Sequence, residues 1–205
     1  MVRPRFAKLP PTQQQTILHA ALQEFAAHGF HDASLNRVIE AAGISKGSMY
    51  YYFDGKEDLY AYVAQTELER LFARLGPFPV PSDADPDTFW STLADYYFRL
   101  MTALSASPQL AALIRGWITV SGTTALQQAQ QVMEQAVMPW IEQALAAGQR
   151  AGAVRTDLPS GLLIAVIFGM GQAMDIWLIT QQPAQDDLPR LIAALIDMFR
   201  GAVGP

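Results

Sequence analysis

The chain has 205 residues, of which 51% are hydrophobic and only 16% are charged, and its formal net charge is −5. This length allows one large domain or a small and a medium one, and the apolar surplus indicates that some surface is buried against a partner or a ligand. Because the sequence contains no cysteine, it excludes disulfides, thiolate metal sites and cysteine nucleophiles. The basic N-terminus lacks the apolar core of a signal peptide, so we expect a cytoplasmic protein.

Signals for helices are dense along the chain, whereas signals for strands are nearly absent. The pattern Thr12-x-x-Gln15 predicts a capping box that opens the first helix, and Gly29 predicts the end of that helix. Ser34 and Ser45 are predicted to cap the second and third helices. Further helices are predicted at about 56–75, 88–105, 108–121, 123–150, 159–181 and 187–202.

A proline-rich segment marks the clearest boundary. Residues 76–87 contain four prolines, which cannot continue a helix. We therefore predict an all-α protein with a small N-terminal three-helix domain at 1–55 and a larger helical bundle at 56–205. The fourth helix, 56–75, connects the two.

The stretch 34–53 has the pattern of a helix-turn-helix. Gly43 is expected at the tight turn because that turn requires a positive φ. Ser45 is expected to cap the second helix of the motif. The small residues Gly47 and Ser48 would let this helix approach a DNA groove closely, and the hydroxyls that follow can donate hydrogen bonds to DNA.

These residues resemble the N-terminal pattern of the TetR family of transcriptional regulators. The resemblance covers roughly residues 12–63 and rests on Gly29-Phe30, Ser34, the run from Ala42 to Tyr50, Tyr52-Phe53 and the run from Lys56 to Leu59. It implies a ligand-responsive repressor that binds a palindromic operator as a homodimer. It also implies release of that DNA when a small-molecule effector binds the larger C-terminal domain.

The resemblance implies phosphate contacts by Ser34, Tyr50 and Lys56, with other contacts from the second helix of the motif. One departure lies at Asn36–Ile39, where the family more often has an acidic residue followed by Ile-Ala. Arg37 in this segment is a candidate for an extra phosphate or base contact. The complete set of candidate DNA-contacting residues is Ser34, Arg37, Ser45, Lys46, Gly47, Ser48, Tyr50, Tyr51 and Lys56.

Aromatic and basic residues around this motif leave alternatives open. Tyr51 is either a DNA contact or a solvent-facing aromatic residue, whereas Tyr52 and Phe53 are expected in the core of the small domain. Arg5 and Lys8, together with Arg3, form either a disordered tail or an arm that reaches the minor groove. Residues 1–50 carry five basic and three acidic side chains, so a modestly basic head precedes an acidic body.

The resemblance places an effector pocket among the helices at 88–150. Its candidate lining residues are Tyr97, Met101, Arg115, Trp117, Met133 and Trp140. Aromatic and methionine side chains favour a largely apolar effector, although each of them also suits an ordinary core. Arg115 pairs either with an anionic group of the effector or with Asp95 or Asp175, and we favour the structural ion pair.

Two C-terminal helices carry stripes of small or apolar residues that predict close helix packing. By resemblance, two such helices from each subunit would form a four-helix homodimer interface. Its candidate residues are Gly161, Ala165, Gly169, Ala173, Leu188, Leu191, Leu195 and Phe199. The segment 162–180 is nearly long enough to span a bilayer, but Gln172 and Asp175 interrupt it, so we expect a helix buried on all sides and no membrane contact.

No catalytic set, metal-binding cluster or phosphate-binding loop is evident, so we expect neither an enzyme nor a cofactor. Within the regulator class, the alternatives are an activator or a regulator that senses no small molecule. From another class, the alternative is an all-α carrier or enzyme that does not bind DNA. The Ser45–Ser48 segment and Lys56 argue against this alternative, because a protein that does not bind DNA would not need these residues.

Overall fold

The computed structural model describes residues 4–76, 79, 85–119 and 138–205, with the backbone alone at 117–119. Every regular element in these ranges is helical, which confirms the all-α prediction. Short 3-10 turns occur at Phe6–Lys8 and Gln185–Asp187. The helices are α1 (Pro11–Asp32), α2 (Leu35–Ala42), α3 (Lys46–Tyr52), α4 (Lys56–Leu75), α5 (Pro86–Ser105), α6 (Pro108–Thr119), α7 (138–150), α8 (Ser160–Gln181) and α9 (Leu188–Val203).

The chain forms two compact units, each built from two separate segments. The first unit comprises Met1–Phe72 and Ser107–Met133, and the second comprises Ala73–Ala106 and Glu134–Pro205. Helix α6 belongs to the first unit because it packs along α1. This grouping by packing differs from the functional division at residue 55, which stays a prediction.

Tyr60 of α4 occupies the centre of the first unit and is fully buried. Its ring packs edge-on against Phe25 of α1, with 4.8 Å between centroids, and lies 5.2 Å from the ring of Phe30. Its hydroxyl donates a hydrogen bond of 2.9 Å to the carbonyl of Leu113 in α6, which satisfies a buried polar group. A Cβ atom on Gly116 would lie 2.8 Å from this hydroxyl, so glycine permits the close approach of α4 and α6.

Two features of α1 differ from the sequence prediction. The helix begins at Pro11, and no side-chain hydrogen bond caps its N-terminus, so the predicted capping box of Thr12 and Gln15 is wrong. Proline suits the first position of a helix because the missing N–H would have no helical partner there. Gly29 interrupts the helix with a φ of 67°, yet the helix resumes and ends at Asp32.

In the second unit, α9 packs against α5 and α8 through one apolar face. The buried residues of this face follow helical spacing and are Leu188, Ile192, Ile196, Phe199 and Val203. Near the end of α7, a Cβ atom on Gly148 would lie 2.5 Å from Val154 and 2.9 Å from Phe89. This contact therefore requires glycine.

Helix α8 is apolar but largely uncovered in the single chain. Its most apolar stretch of 18 residues has a mean hydropathy of 2.0, and 22% of that stretch is buried. By length and composition alone, the helix could cross a membrane. Leu162 and Trp177 are 50% and 48% exposed. The expectation of a helix buried on all sides is therefore wrong.

A hydrogen-bonded polar pair lies within the second unit. The Tyr97 hydroxyl of α5 donates to the Asp175 carboxyl of α8. Burial raises the pKa of Asp175 to about 6, against the opposing effect of the Tyr97 hydrogen bond. Burial, followed by the neighbouring Asp175 charge, also raises the pKa of Tyr97 above its ordinary value. Ionisation of this pair is thus disfavoured in the folded chain.

We predict that Asp175→Asn stabilises the protein near neutral pH. Because the pKa of Asp175 is raised on folding, its contribution to stability is fully present at low pH and is lost as the pH rises through about 6. The amide keeps the volume and the acceptor oxygen but cannot ionise. Thermal unfolding should show a melting temperature higher than that of the wild type by roughly 5 °C at about pH 7.5, and a smaller gain at about pH 5. A gain that did not change with pH would contradict this explanation.

Candidate DNA-binding interface

Helices α2 and α3 form the predicted helix-turn-helix. Gly43 adopts the left-handed conformation, with φ 64° and ψ 31°, which confirms why glycine stands at this turn. The hydroxyl of Ser45 accepts a hydrogen bond of 3.0 Å from the backbone N–H of Ser48, so the predicted cap of α3 is also confirmed. Met49 is fully buried and fixes one face of α3 against the unit.

The opposite face of α3 carries most of the predicted groove residues. Lys46 is exposed, and Tyr50 and Tyr51 are 44% and 48% exposed. Ser48 is half-buried, and its hydroxyl lies 2.9 Å from the hydroxyl of Ser45. This face therefore presents an ammonium group and phenols to solvent.

Gly47 lies in the middle of this exposed surface. Among the described residues, a Cβ atom at this position would meet only the Ser45 hydroxyl, at an ordinary contact distance of 3.7 Å. Packing within the chain therefore does not require glycine here. The missing side chain instead leaves room for close approach from outside.

A carboxylate of α1 holds the start of α2. The backbone N–H of Ser34 donates to Glu24 at 2.7 Å, and no side-chain hydrogen bond caps α2, so the predicted side-chain cap by Ser34 is wrong. Arg37 donates from Nε to both oxygens of Glu24 at 2.8 and 3.0 Å, and from Nη2 to the carbonyl of Asp32 at 2.8 Å. The Arg37 hydrogen bond is the main reason that the pKa of Glu24 is lowered. Arg37 thus serves the junction of α1 and α2, and a DNA contact by it stays a prediction.

Lys56 joins the start of α4 to the end of α1. Its Nζ donates to the carbonyls of His31 and Ala33 at 2.8 and 3.1 Å, and lies 4.9 Å from the ring centroid of Phe30. Carbonyls at a helix C-terminus attract cations. Two of the three ammonium donors are used in this way, so Lys56 is a structural residue whether or not it also contacts phosphate.

The candidate effector residues of the second unit lie on α5 and α7. Met101 is buried, and Tyr97 forms the hydrogen bond to Asp175 described above. Trp140 is half-buried and stacks on Tyr96, with 5.9 Å between ring centroids and an angle of 29°. An effector contact by any of these residues stays a prediction.

The remaining candidate effector residues do not belong to the described parts of α5 and α7. Arg115 is half-buried on α6, which belongs to the first unit. The side chain of Trp117 and the whole of Met133 lie outside the described residues. An open groove of about 960 Å³ lies instead along α1 and α2, with polar lining residues such as Gln15 and Gln23, and the sequence did not indicate it.

The candidate interface residues divide between exposed and buried positions. On α8, the small residues are exposed, and a Cβ atom on Gly161 or Gly169 would meet none of the described residues within 4 Å. On α9, Leu188 and Phe199 belong to the core of the second unit. The predicted residues of α9 that are half-buried are Leu191 and Leu195.

Comparison with known proteins gives specific matches in the N-terminal part of the chain. Residues 17–63 match the family described as bacterial regulatory proteins, tetR family. The HTH-type transcriptional regulator RutR of Escherichia coli K12 is 41% identical over 66 residues, which cover 32% of this chain and 31% of RutR. The match thus spans about a third of the length of that curated relative. The HTH-type transcriptional repressor Rv1474c of Mycobacterium tuberculosis is 26% identical over 197 residues, which cover 93% of this chain and 92% of the relative.

Solved structures share the fold along nearly the whole chain. The regulator FadR from Bacillus subtilis, in complex with stearoyl-CoA, has a TM-score of 0.72 at 20% identity and covers 92% of this chain and 98% of its own. A TetR family transcriptional regulator from Chloroflexus aurantiacus has a TM-score of 0.56 at 24% identity and covers 98% of both chains. Residues 17–63, which contain the helix-turn-helix, thus resemble the tetR family of bacterial regulatory proteins, and the solved structures show that the fold is shared along nearly the whole chain.

Proposed function

We propose that the protein is a cytoplasmic transcriptional repressor that binds a palindromic operator as a homodimer and leaves it when a small, largely apolar effector binds. The observation that carries the DNA-binding part is the outward face of α3, with its capped start, its exposed Lys46 and its exposed tyrosines. The names of RutR and Rv1474c, a regulator and a repressor, support the same function.

The chemistry of α3 suits a major groove. Helix α3 is held by buried Met49 and presents hydroxyl and ammonium donors on its other side. Gly47 leaves a gap that a base edge or a phosphate can enter. In a dimer, two such helices would occupy successive major grooves about 34–36 Å apart.

Selection of duplexes from a random library by the purified full-length protein tests this proposal directly. We expect enrichment of a palindromic sequence, with tight binding to the selected duplex and weak binding to a scrambled duplex of the same composition. Enrichment of no duplex would contradict the proposed function.

We predict that Lys56→Ala weakens binding to the selected and the scrambled duplex by the same factor. A phosphate contact releases a counterion without reading bases, so the slope of log affinity against log salt should fall by about 1. Because Lys56 also holds the end of α1, binding must be measured well below the melting temperature of the variant. Arg190→Ala removes the same charge from an exposed site on α9 and serves as the control.

Ser48→Ala provides the contrasting result. It should change which duplexes are selected, because a hydroxyl in the groove distinguishes base edges. If Lys56→Ala changed the selected sequence instead, the assignment of Lys56 to phosphate would be wrong.

The homodimer is proposed to form through the uncovered face of α8. Gly161, Ala165, Gly169 and Ala173 lie along this face, with exposed Trp177 one helical turn beyond. Small residues allow two helices to pack closely, and the apolar area otherwise faces solvent.

We predict that Gly169→Leu weakens the dimer without disturbing the single chain. None of the described residues lies within 4 Å of a Cβ atom at this position, so we expect the loss to come from overpacking against another copy. A cost of about 1–3 kcal/mol would raise the dimer dissociation constant roughly 5- to 150-fold in sedimentation experiments. Gly201→Leu makes the same change at another open helical position and should leave the dimer intact. An unchanged dimer for Gly169→Leu would remove this stripe from the interface.

We predict that hydrophobic molecules release the protein from DNA more effectively than polar ones. Between Trp90 and Ala147 only five charged residues occur, and Met101 in this region is buried, so a pocket formed there could offer few charges. Titration calorimetry and DNA release should be compared for dodecanol, dodecylamine and dodecanoate. Stearoyl-CoA joins the set because FadR binds it.

Affinity for the effector should rise about fourfold for each added methylene, which corresponds to about 0.8 kcal/mol. Arg115→Ala is the control: it should reduce binding of dodecanoate alone if the guanidinium meets an anionic group, and should leave all ligands unaffected if its role is structural. Tight binding of a small polar metabolite, with no response to any hydrophobic molecule, would overturn the proposed effector class.

A further inference from the structure

The residues that precede α1 are anchored to the helix-turn-helix rather than loosely attached. The ring of Phe6 is fully buried and lies 5.9, 4.9 and 5.5 Å, between centroids, from the rings of Tyr52, Phe53 and Tyr62. Such edge-on and tilted arrangements are favourable for aromatic pairs. Phe6 thus fixes residues 4–10, which we call the N-terminal arm, beside α3.

Hydrogen bonds hold the backbone of the N-terminal arm as well. The N–H of Lys8 donates to the carbonyl of Arg5 at 3.3 Å, and that of Leu9 to Phe6 at 3.0 Å, which closes a 3-10 turn. The side chain of Gln14 on α1 donates to the carbonyl of Leu9 at 2.8 Å. The conformation of the arm is therefore set by the protein itself.

The basic side chains of the N-terminal arm, Arg5 and Lys8, lie on one side of it. Side chains three residues apart eclipse each other in a 3-10 turn, so Arg5 and Lys8 share a face that differs from the buried face of Phe6. Both are exposed. No acidic residue occurs in the sequence before Glu24, so neither the N-terminal arm nor the first turns of α1 carry a carboxylate that would neutralise these charges.

Arg5 also makes a specific contact with α3. Its guanidinium carbon lies 4.3 Å from the ring centroid of Tyr51, the most exposed aromatic residue of that helix. A guanidinium that stacks by its face keeps its N–H donors pointing outward from its edge, where they can meet an acceptor. Tyr51 thus positions Arg5 next to the surface that is proposed to contact DNA.

We propose that the N-terminal arm is a second DNA-contacting element, in which Arg5, stacked on Tyr51, donates to an acceptor on the duplex beside the base pairs that α3 contacts. The acceptor is a phosphate oxygen or the edge of a base. This inference rests on the proposed repressor function and adds to it a contact outside the helix-turn-helix. Because Phe6 already orders the arm, binding DNA does not require the loss of its conformational freedom.

The test compares variants of the full-length protein by fluorescence anisotropy, on the selected duplex and on a scrambled duplex, from about 50 to 200 mM salt. Arg5→Ala should weaken binding to the selected duplex about tenfold at low salt, whereas Arg190→Ala should not. An equal loss on both duplexes with a salt slope lower by about 1 identifies a phosphate acceptor. A loss confined to the selected duplex identifies a base edge.

A double-mutant cycle tests the stacked pair itself. In a Tyr51→Ala background, Arg5→Ala should have a smaller effect than in the wild type, because the tyrosine no longer positions the guanidinium. Phe6→Ala should reproduce the loss seen for Arg5→Ala, since it releases the arm but keeps its charges. If Phe6→Ala does not fold, the cycle decides alone.

Two outcomes overturn the proposal in distinguishable ways. If Arg5→Ala binds the selected duplex with the affinity and salt slope of the wild type, the arm does not contact DNA and the repressor function stands. If the wild-type protein selects no duplex at all, the repressor function fails and this inference fails with it.

Discussion

The buried hydroxyl of Tyr60 is the group on which the arrangement of the first unit depends. A buried phenol requires a hydrogen-bond partner, and here the partner is a backbone carbonyl of α6, at Leu113. The same ring packs against Phe25 of α1. Helix α6, distant in sequence, is thereby joined to α4 and, through the same ring, to α1. A shift of α6 along α4 would break this hydrogen bond and leave a buried phenol without its partner.

Two charged side chains, Glu24 and Lys56, set the orientation of the helix-turn-helix relative to α1 and α4. Glu24 accepts from the first turn of α2, both at Ser34 and at Arg37, and Lys56 ties the start of α4 to the carbonyls at the end of α1. Helix α3 lies between these two attachments in the chain. Arg37 and Lys56, both predicted from sequence as DNA contacts, thus hold the helix-turn-helix in place within the first unit. Loss of either would disturb the exposed face of α3 even if neither residue contacts DNA.

The sequence could predict those features that depend on neighbouring residues. A left-handed turn needs Gly43, and a short helix is well capped by Ser45, so both were predictable from local rules. Contacts between residues distant in sequence were not predictable in this way. The hydroxyl of Ser34 does not cap α2, and the start of that helix is held instead by Glu24, which accepts from the backbone N–H of Ser34 and from the side chain of Arg37. Likewise, nothing in the local sequence around Phe6 indicates the aromatic cluster that buries it, since its partners come from α3 and α4.

Helices α8 and α9 show why hydropathy alone could not predict burial. Both carry apolar stripes at helical spacing, yet the stripe of α9 is buried through residues such as Ile192 and Ile196 within its own unit, whereas that of α8 faces outward. The helical spacing of apolar residues shows that one face of a helix is apolar, but it does not show which surface covers that face. None of the described residues fills the space above Gly161 and Gly169, although a larger side chain would favour the helix there. Glycine at these positions would allow a second helix to approach closely, which is the arrangement that the proposed dimer requires.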